Sequence, residues 1–137
     1  MIHYTTQEES AILMNLGVNP NTADMCYLNG KEDVKPVAIP FKDALEQSIP
    51  CWSQGGLFAI IPEKISATNQ YGTWDYTLHV QDKRTIGYGS YGKYGTWSEM
   101  INYAYDNFTQ SIFKLIVWII ANDYCKPKDL KSEYEEI

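Results

Sequence analysis

The residues of this chain that could do chemistry are few and widely spaced. The segment IGYGSYGKY, residues 86–94, sets Gly87, Gly89 and Gly92 at the G-x-G-x-x-G spacing that lets a backbone approach a phosphate, and Gly87, Gly92 and Lys93 come close to a P-loop. Each match lacks its context. A P-loop needs a Ser or Thr hydroxyl for magnesium where this chain has Tyr94, and a dinucleotide fold needs a further strand after the helix. The segment therefore reads as glycines that make room for aromatic rings. Cys51 lies just before a helix start, where the helix dipole favours a thiolate, and with His79 it forms a conceivable nucleophile and base pair. The competing reading is a small buried thiol and a histidine on the polar side of a strand. Metal binding would require His3, His79 and one or two of the cysteines to converge without any close ligand spacing. The carboxylate pairs Glu8-Glu9, Glu32-Asp33 and Glu135-Glu136 are adjacent in sequence and cannot share a helix face. Neither a metal nor a cofactor is expected.

Aromatic residues are the compositional excess, with four Trp, eleven Tyr and four Phe. Six of them, Trp74, Tyr76, Tyr88, Tyr91, Tyr94 and Trp97, gather around one hairpin and the loop that follows it. Rings beside glycines can form a recognition surface for sugar, peptide or protein, because they offer area at low entropy cost. They can equally roof the core of a small domain. Both readings stay open at the level of sequence.

The bulk composition narrows the partners. Eleven basic against seventeen acidic residues give a net charge of −6, which disfavours a nucleic-acid backbone or an anionic membrane surface. The three cysteines Cys26, Cys51 and Cys125 are odd in number and form no C-x-x-C pair, so a reducing, cytoplasmic setting is expected rather than a disulfide framework. MIHYTTQEES has neither a basic nor an apolar leader region, and no signal peptide is expected. The most apolar run, Ile112 to Ala121, contains Lys114 and is far shorter than the ~20 residues that cross a bilayer.

These residues must be positioned by an α+β domain over residues 1–125, followed by a charged tail at 126–137 expected to be disordered. Thr5 or Thr6 with Glu8 or Glu9 can form a capping box for a first helix, which Gly17 stops. Met25 to Leu28 and Val34 to Ile39, joined by Asn29-Gly30, predict a hairpin near 25–39. Phe41 to Ile49 has weak helical character; Pro50 then breaks the chain, and Ser53 caps a second short helix that Pro62 ends. The stretch from there to Gly72 reads as a polar loop. Trp74, Tyr76, Leu78 and Val80 alternate with polar residues and, with Ile86 and Tyr88, predict a hairpin over 74–91. Thr96 and Glu99 resemble another capping box, and Ile101, Tyr105, Phe108, Ile112, Leu115 and Ile119 follow at helical spacing, predicting a long C-terminal helix from about Ser98 to Asn122. Leu115 to Ile120 is apolar on every side of that helix, so it requires cover, either from the chain's own elements or from a second copy in a homodimer.

Three stretches carry a resemblance: TADMC at 22–26, PCWS at 50–53 continuing to Leu57 with Ile61-Pro62, and Ser98-Glu99-Met100. They are similar to small proteins encoded in phages and prophages of gut Bacteroidetes, over residues 22 to about 122. The resemblance implies a phage or mobile-element origin and a cytoplasmic setting, and it supplies no catalytic residues. The sequence thus leads to a non-enzymatic accessory or interaction module whose partner is a protein: itself, or one of phage or host. The alternative is a small enzyme using Cys51 or a carboxylate in a pocket.

Overall fold

The computed structural model describes residues 3–28, 35–92, 95 and 97–131. The fold is α+β, and the described residues form three α-helices, a two-stranded sheet and a four-stranded sheet, both antiparallel. The first helix, α1 (Gln7–Asn15), begins at the expected capping box: Glu9 N donates to Thr6 Oγ1 at 3.1 Å, and Thr6 N donates to Glu9 Oε1 at 2.9 Å. Gly17, at φ +96°, ends it in the left-handed region that favours glycine.

Strand β1 (Met25–Tyr27) pairs with β2 (Ile49–Cys51), and Cys26 lies opposite Pro50. Pro50 has no N–H to give, and Cys26 instead exchanges both backbone bonds with Val37 on its other side, at 3.1 and 2.8 Å. The hairpin expected near 25–39 is therefore reduced to one bridge, Cys26 with Val37, while the principal partner of β1 comes from residues 49–51. The Asn29-Gly30 turn of that expectation lies outside the described residues. The weak helical character expected from Phe41 to Ile49 is confined to one turn of 3-10 helix at Phe41–Asp43.

Helix α2 (Gln54–Ile60) is capped by Ser53, whose Oγ accepts from Gly56 N at 2.9 Å. Then β3 (Lys64–Asn69), β4 (Gly72–Val80), β5 (Thr85–Tyr91) and β6 (Trp97–Ala104) form a meander in sequence order. The hairpin over 74–91 is present. Two further strands flank it where sequence reading placed a loop and the first half of a helix. The last helix, α3 (Phe108–Ala121), starts at Asn107, whose side chain accepts from Thr109 N at 2.9 Å. The long helix from Ser98 is thus a strand, a turn and a helix of 14 residues.

Helix α3 packs on β5, β6 and α2. Ile112, Leu115, Ile116 and Ile119 are fully buried there, with Leu13, Trp52, Leu57, Ile86 and Tyr88 in the same core. In the apolar second half of the helix Leu115, Ile116, Ile119 and Ile120 find their cover within the chain's own core, while Val117 and Trp118 are half-buried. The half-buried Trp118 stacks on Tyr124, centroids 5.2 Å apart. Within the segment expected as a charged tail, Pro127–Asp129 turns the chain so that Leu130 is fully buried in the same core, and residues 132–137 lie outside the described residues. Among the described residues no helix is long and apolar enough to cross a membrane.

Candidate functional site

Pairing in the four-stranded sheet sorts the aromatic residues by face. Leu78 lies opposite Tyr88, and Tyr88 opposite Ile101, so these side chains share the face covered by α3. Tyr88 is fully buried, and its hydroxyl donates to the Pro62 carbonyl at 2.6 Å. Burial pushes that phenol above its ordinary range. Tyr76 shares the face and packs half-buried against the core, opposite Ile65 of β3. Trp74, two residues towards the hairpin tip, is 41% exposed.

The opposite face carries a different set. His79 lies opposite Gly87, Thr77 opposite Gly89, and Tyr91 opposite Trp97. A register shift between Tyr88 and Gly89 sets Glu99 opposite Gly89 and so brings Glu99 onto the same face as His79. The two glycines have a physical purpose here. A Cβ at Gly89 would collide with the Trp97 indole, so that ring lies directly on the strand, and one at Gly87 would collide with the Ile101 carbonyl oxygen and with Asn102, so the neighbouring strand approaches closely there.

The result is a compact constellation on the solvent side of the sheet. Trp97 meets the His79 imidazole edge-on at 4.7 Å between centroids, and Tyr91 meets Trp97 edge-on at 4.9 Å. His79 Nε2 lies 2.8 Å from Glu99 Oε1, and the Gln81 amide donates to the same carboxylate oxygen. An Nε2–H donated to Glu99 leaves Nδ1 as an acceptor, and that atom is buried without a hydrogen bond among the described residues. Tyr91 is 73% exposed. A rigid aromatic pair beside a carboxylate is suited to holding a cationic side chain, by ring contact and by charge.

The six aromatic residues singled out from sequence therefore do not form one surface. Tyr88 belongs to the core, Tyr76 packs against it, Trp74 stands towards the hairpin tip on that same side, and on the other face the exposed Tyr91 packs against the half-buried Trp97. Tyr94 lies outside the described residues. Glu99 and Gln81 are additions that sequence reading missed. The Glu99 contact depends on β6 being a strand, and alternation along β4 was the only signal for Gln81.

Cys51 occupies a separate buried network. Its thiol donates to the Thr5 carbonyl at 3.3 Å, and the Tyr27 hydroxyl donates to the same carbonyl at 2.6 Å. Thr5 Oγ1 lies 2.8 Å from Ser10 Oγ and accepts from Trp52 N at 3.1 Å. Burial, only partly offset by hydrogen bonds from Thr5 and Tyr27, pushes the Cys51 thiol up to about 11. Cys51 and His79 sit in different sheets and share no partner among the described residues, so the conceivable pair is not assembled there. Cys26 and Cys51 lie on adjacent strands, but the register turns them to opposite faces, and both are free thiols. Among the described residues no three His, Cys, Asp or Glu side chains gather as a metal set would. No protein-family model, curated protein or solved structure matches the chain, and the reading of its function rests on this geometry.

Proposed function

We propose that the chain is a non-enzymatic interaction module of phage or mobile-element origin, binding a protein partner through the solvent face of β5 and β6. The observation that carries the reading is the Tyr91–Trp97 pair. An exposed tyrosine packs against an indole that Gly89 seats on the strand, with Glu99, His79 and Gln81 beside it. Rings fixed in this way lose little freedom on binding. The Glu99 carboxylate and the net charge of −6 favour a partner segment that presents lysine or arginine. The Cys51 form of the enzyme alternative has less support, since that thiol is buried and burial holds it in the neutral form.

The test is selection from a displayed random-peptide library on the immobilised protein. Enriched peptides are expected to carry a basic residue and to lose binding to Tyr91→Ala and Glu99→Gln. Enrichment that is indifferent to both substitutions overturns the reading.

A further inference from the structure

A second feature lies apart from the aromatic face and shares no residue with it. The segment before α1, the start of α2, the β4–β5 turn and the β6–α3 junction enclose a cleft of about 470 Å³ lined by His3, Gln54, Lys83, Arg84, Asp106 and Phe108. Its walls are tied together. Gln54 N donates to the His3 carbonyl at 2.8 Å, and Gln54 Oε1 accepts from Thr109 Oγ1 at 3.1 Å, which leaves the Gln54 amide nitrogen as a donor. Asp82 Oδ1 accepts from Arg84 N at 2.8 Å and Thr85 N at 2.9 Å, fixing the turn that carries Lys83 and Arg84.

The charge of this cleft opposes that of the whole chain. In a protein of net charge −6, its single arginine, a neighbouring lysine and a histidine line one cavity, with the Phe108 ring in the same wall. The acid among them, Asp106, reaches Arg84 Nη1 at 3.3 Å, and both partners are exposed, so water screens the pair and it holds the guanidinium weakly. The remaining guanidinium donors, the Lys83 ammonium and the Gln54 amide supply several N–H groups to an anionic oxygen cluster. The volume suits a small molecule rather than a polymer.

We propose that this cleft binds a small organic anion, a phosphate monoester or carboxylate on an apolar body. Arg84 and Lys83 hold the anionic group and Phe108 covers the body. Asp106 is the built-in competitor: its carboxylate occupies part of the guanidinium, and an incoming anion displaces it.

Two-dimensional NMR of the full chain, titrated separately with phenyl phosphate and with benzoate, tests this. Saturating shifts at residues 3, 54, 83–84 and 106–109 with either probe support the site, and the stronger probe identifies the anionic group. Arg84→Gln is expected to weaken binding by about tenfold or more, and Asp106→Asn to strengthen it by about threefold. Both residues are exposed, so the variants remain folded, which near-ultraviolet circular dichroism verifies. Shifts that never saturate, or saturable binding unchanged in Arg84→Gln, overturn the proposal; so does weakening by Asp106→Asn.

Discussion

Trp97 lies edge-on to His79, with ring centroids 4.7 Å apart, and its indole fills the space that a side chain at Gly89 would need. One contact thus explains a glycine that looked like part of a phosphate-binding motif. Gly89→Ala forces the ring off the strand. The expected result is a loss of about 1–3 kcal/mol of stability in urea unfolding, together with a changed near-ultraviolet tryptophan signal. An alanine variant as stable as the parent contradicts the packing of Trp97 on β5.

Thr5 joins the N-terminal segment to β2. Thr5→Val keeps the shape but removes the oxygen that accepts from Trp52 N and contacts Ser10. Because both groups are buried, a loss of about 1–3 kcal/mol is expected in denaturant melts. Ser10→Ala in the Thr5→Val background is expected to recover part of that loss by removing the stranded hydroxyl.

The Cys51 thiol gives a pH dependence with a defined sign. In the unfolded chain it ionises near its ordinary value of 9.0, whereas in the folded protein it is pushed up to about 11. Its contribution to stability is complete below about pH 9 and is lost as the pH rises through 11. Burial pushes Tyr27 in the same direction. Unfolding midpoints are expected to fall between these pH values, and Cys51 in the native protein is expected to resist iodoacetamide at pH 8. Rapid alkylation there would restore the nucleophile reading.

Asp82 behaves in the opposite sense. Backbone donation from Arg84 first, then the neighbouring Thr85, holds its carboxyl below the usual value of 3.8. The turn is therefore supported above that value and released as the pH falls through the lowered one. Asp82→Ala is expected to speed amide exchange at Arg84 and Thr85, while Asp82→Asn, which keeps an acceptor oxygen, is expected to slow it back towards the parent rate.

What was legible in the sequence was local. The Thr6–Glu9 box, the Ser53 cap and the alternation along β4 depend on residues within a turn or two of each other. The strand β6 was misread because Ile101, Tyr105 and Phe108 happen to fall three and four residues apart, while the bulge beside Gly89 breaks the two-residue period that would have shown a strand. β3 was missed because the edge segment Lys64–Asn69 has mostly polar side chains and only Ile65 among its core residues. β1 and β2 are separated by more than twenty residues, and Pro50 argues against a strand until Val37 is seen to take the bonds of Cys26. The candidate site depended on all of this. Tyr91 and Trp97 were visible as ring types, but Glu99 joins them only once β6 is a strand with its register shifted.

The most direct test of the recognition surface is the affinity of a selected basic peptide for the parent, Tyr91→Ala and Glu99→Gln proteins, measured by isothermal titration calorimetry. Both side chains are solvent-facing, and the variants are expected to keep the parental melting profile. The account predicts that each substitution weakens binding by about tenfold or more, with the Glu99→Gln loss shrinking as salt is raised. Equal affinity for all three proteins would contradict it.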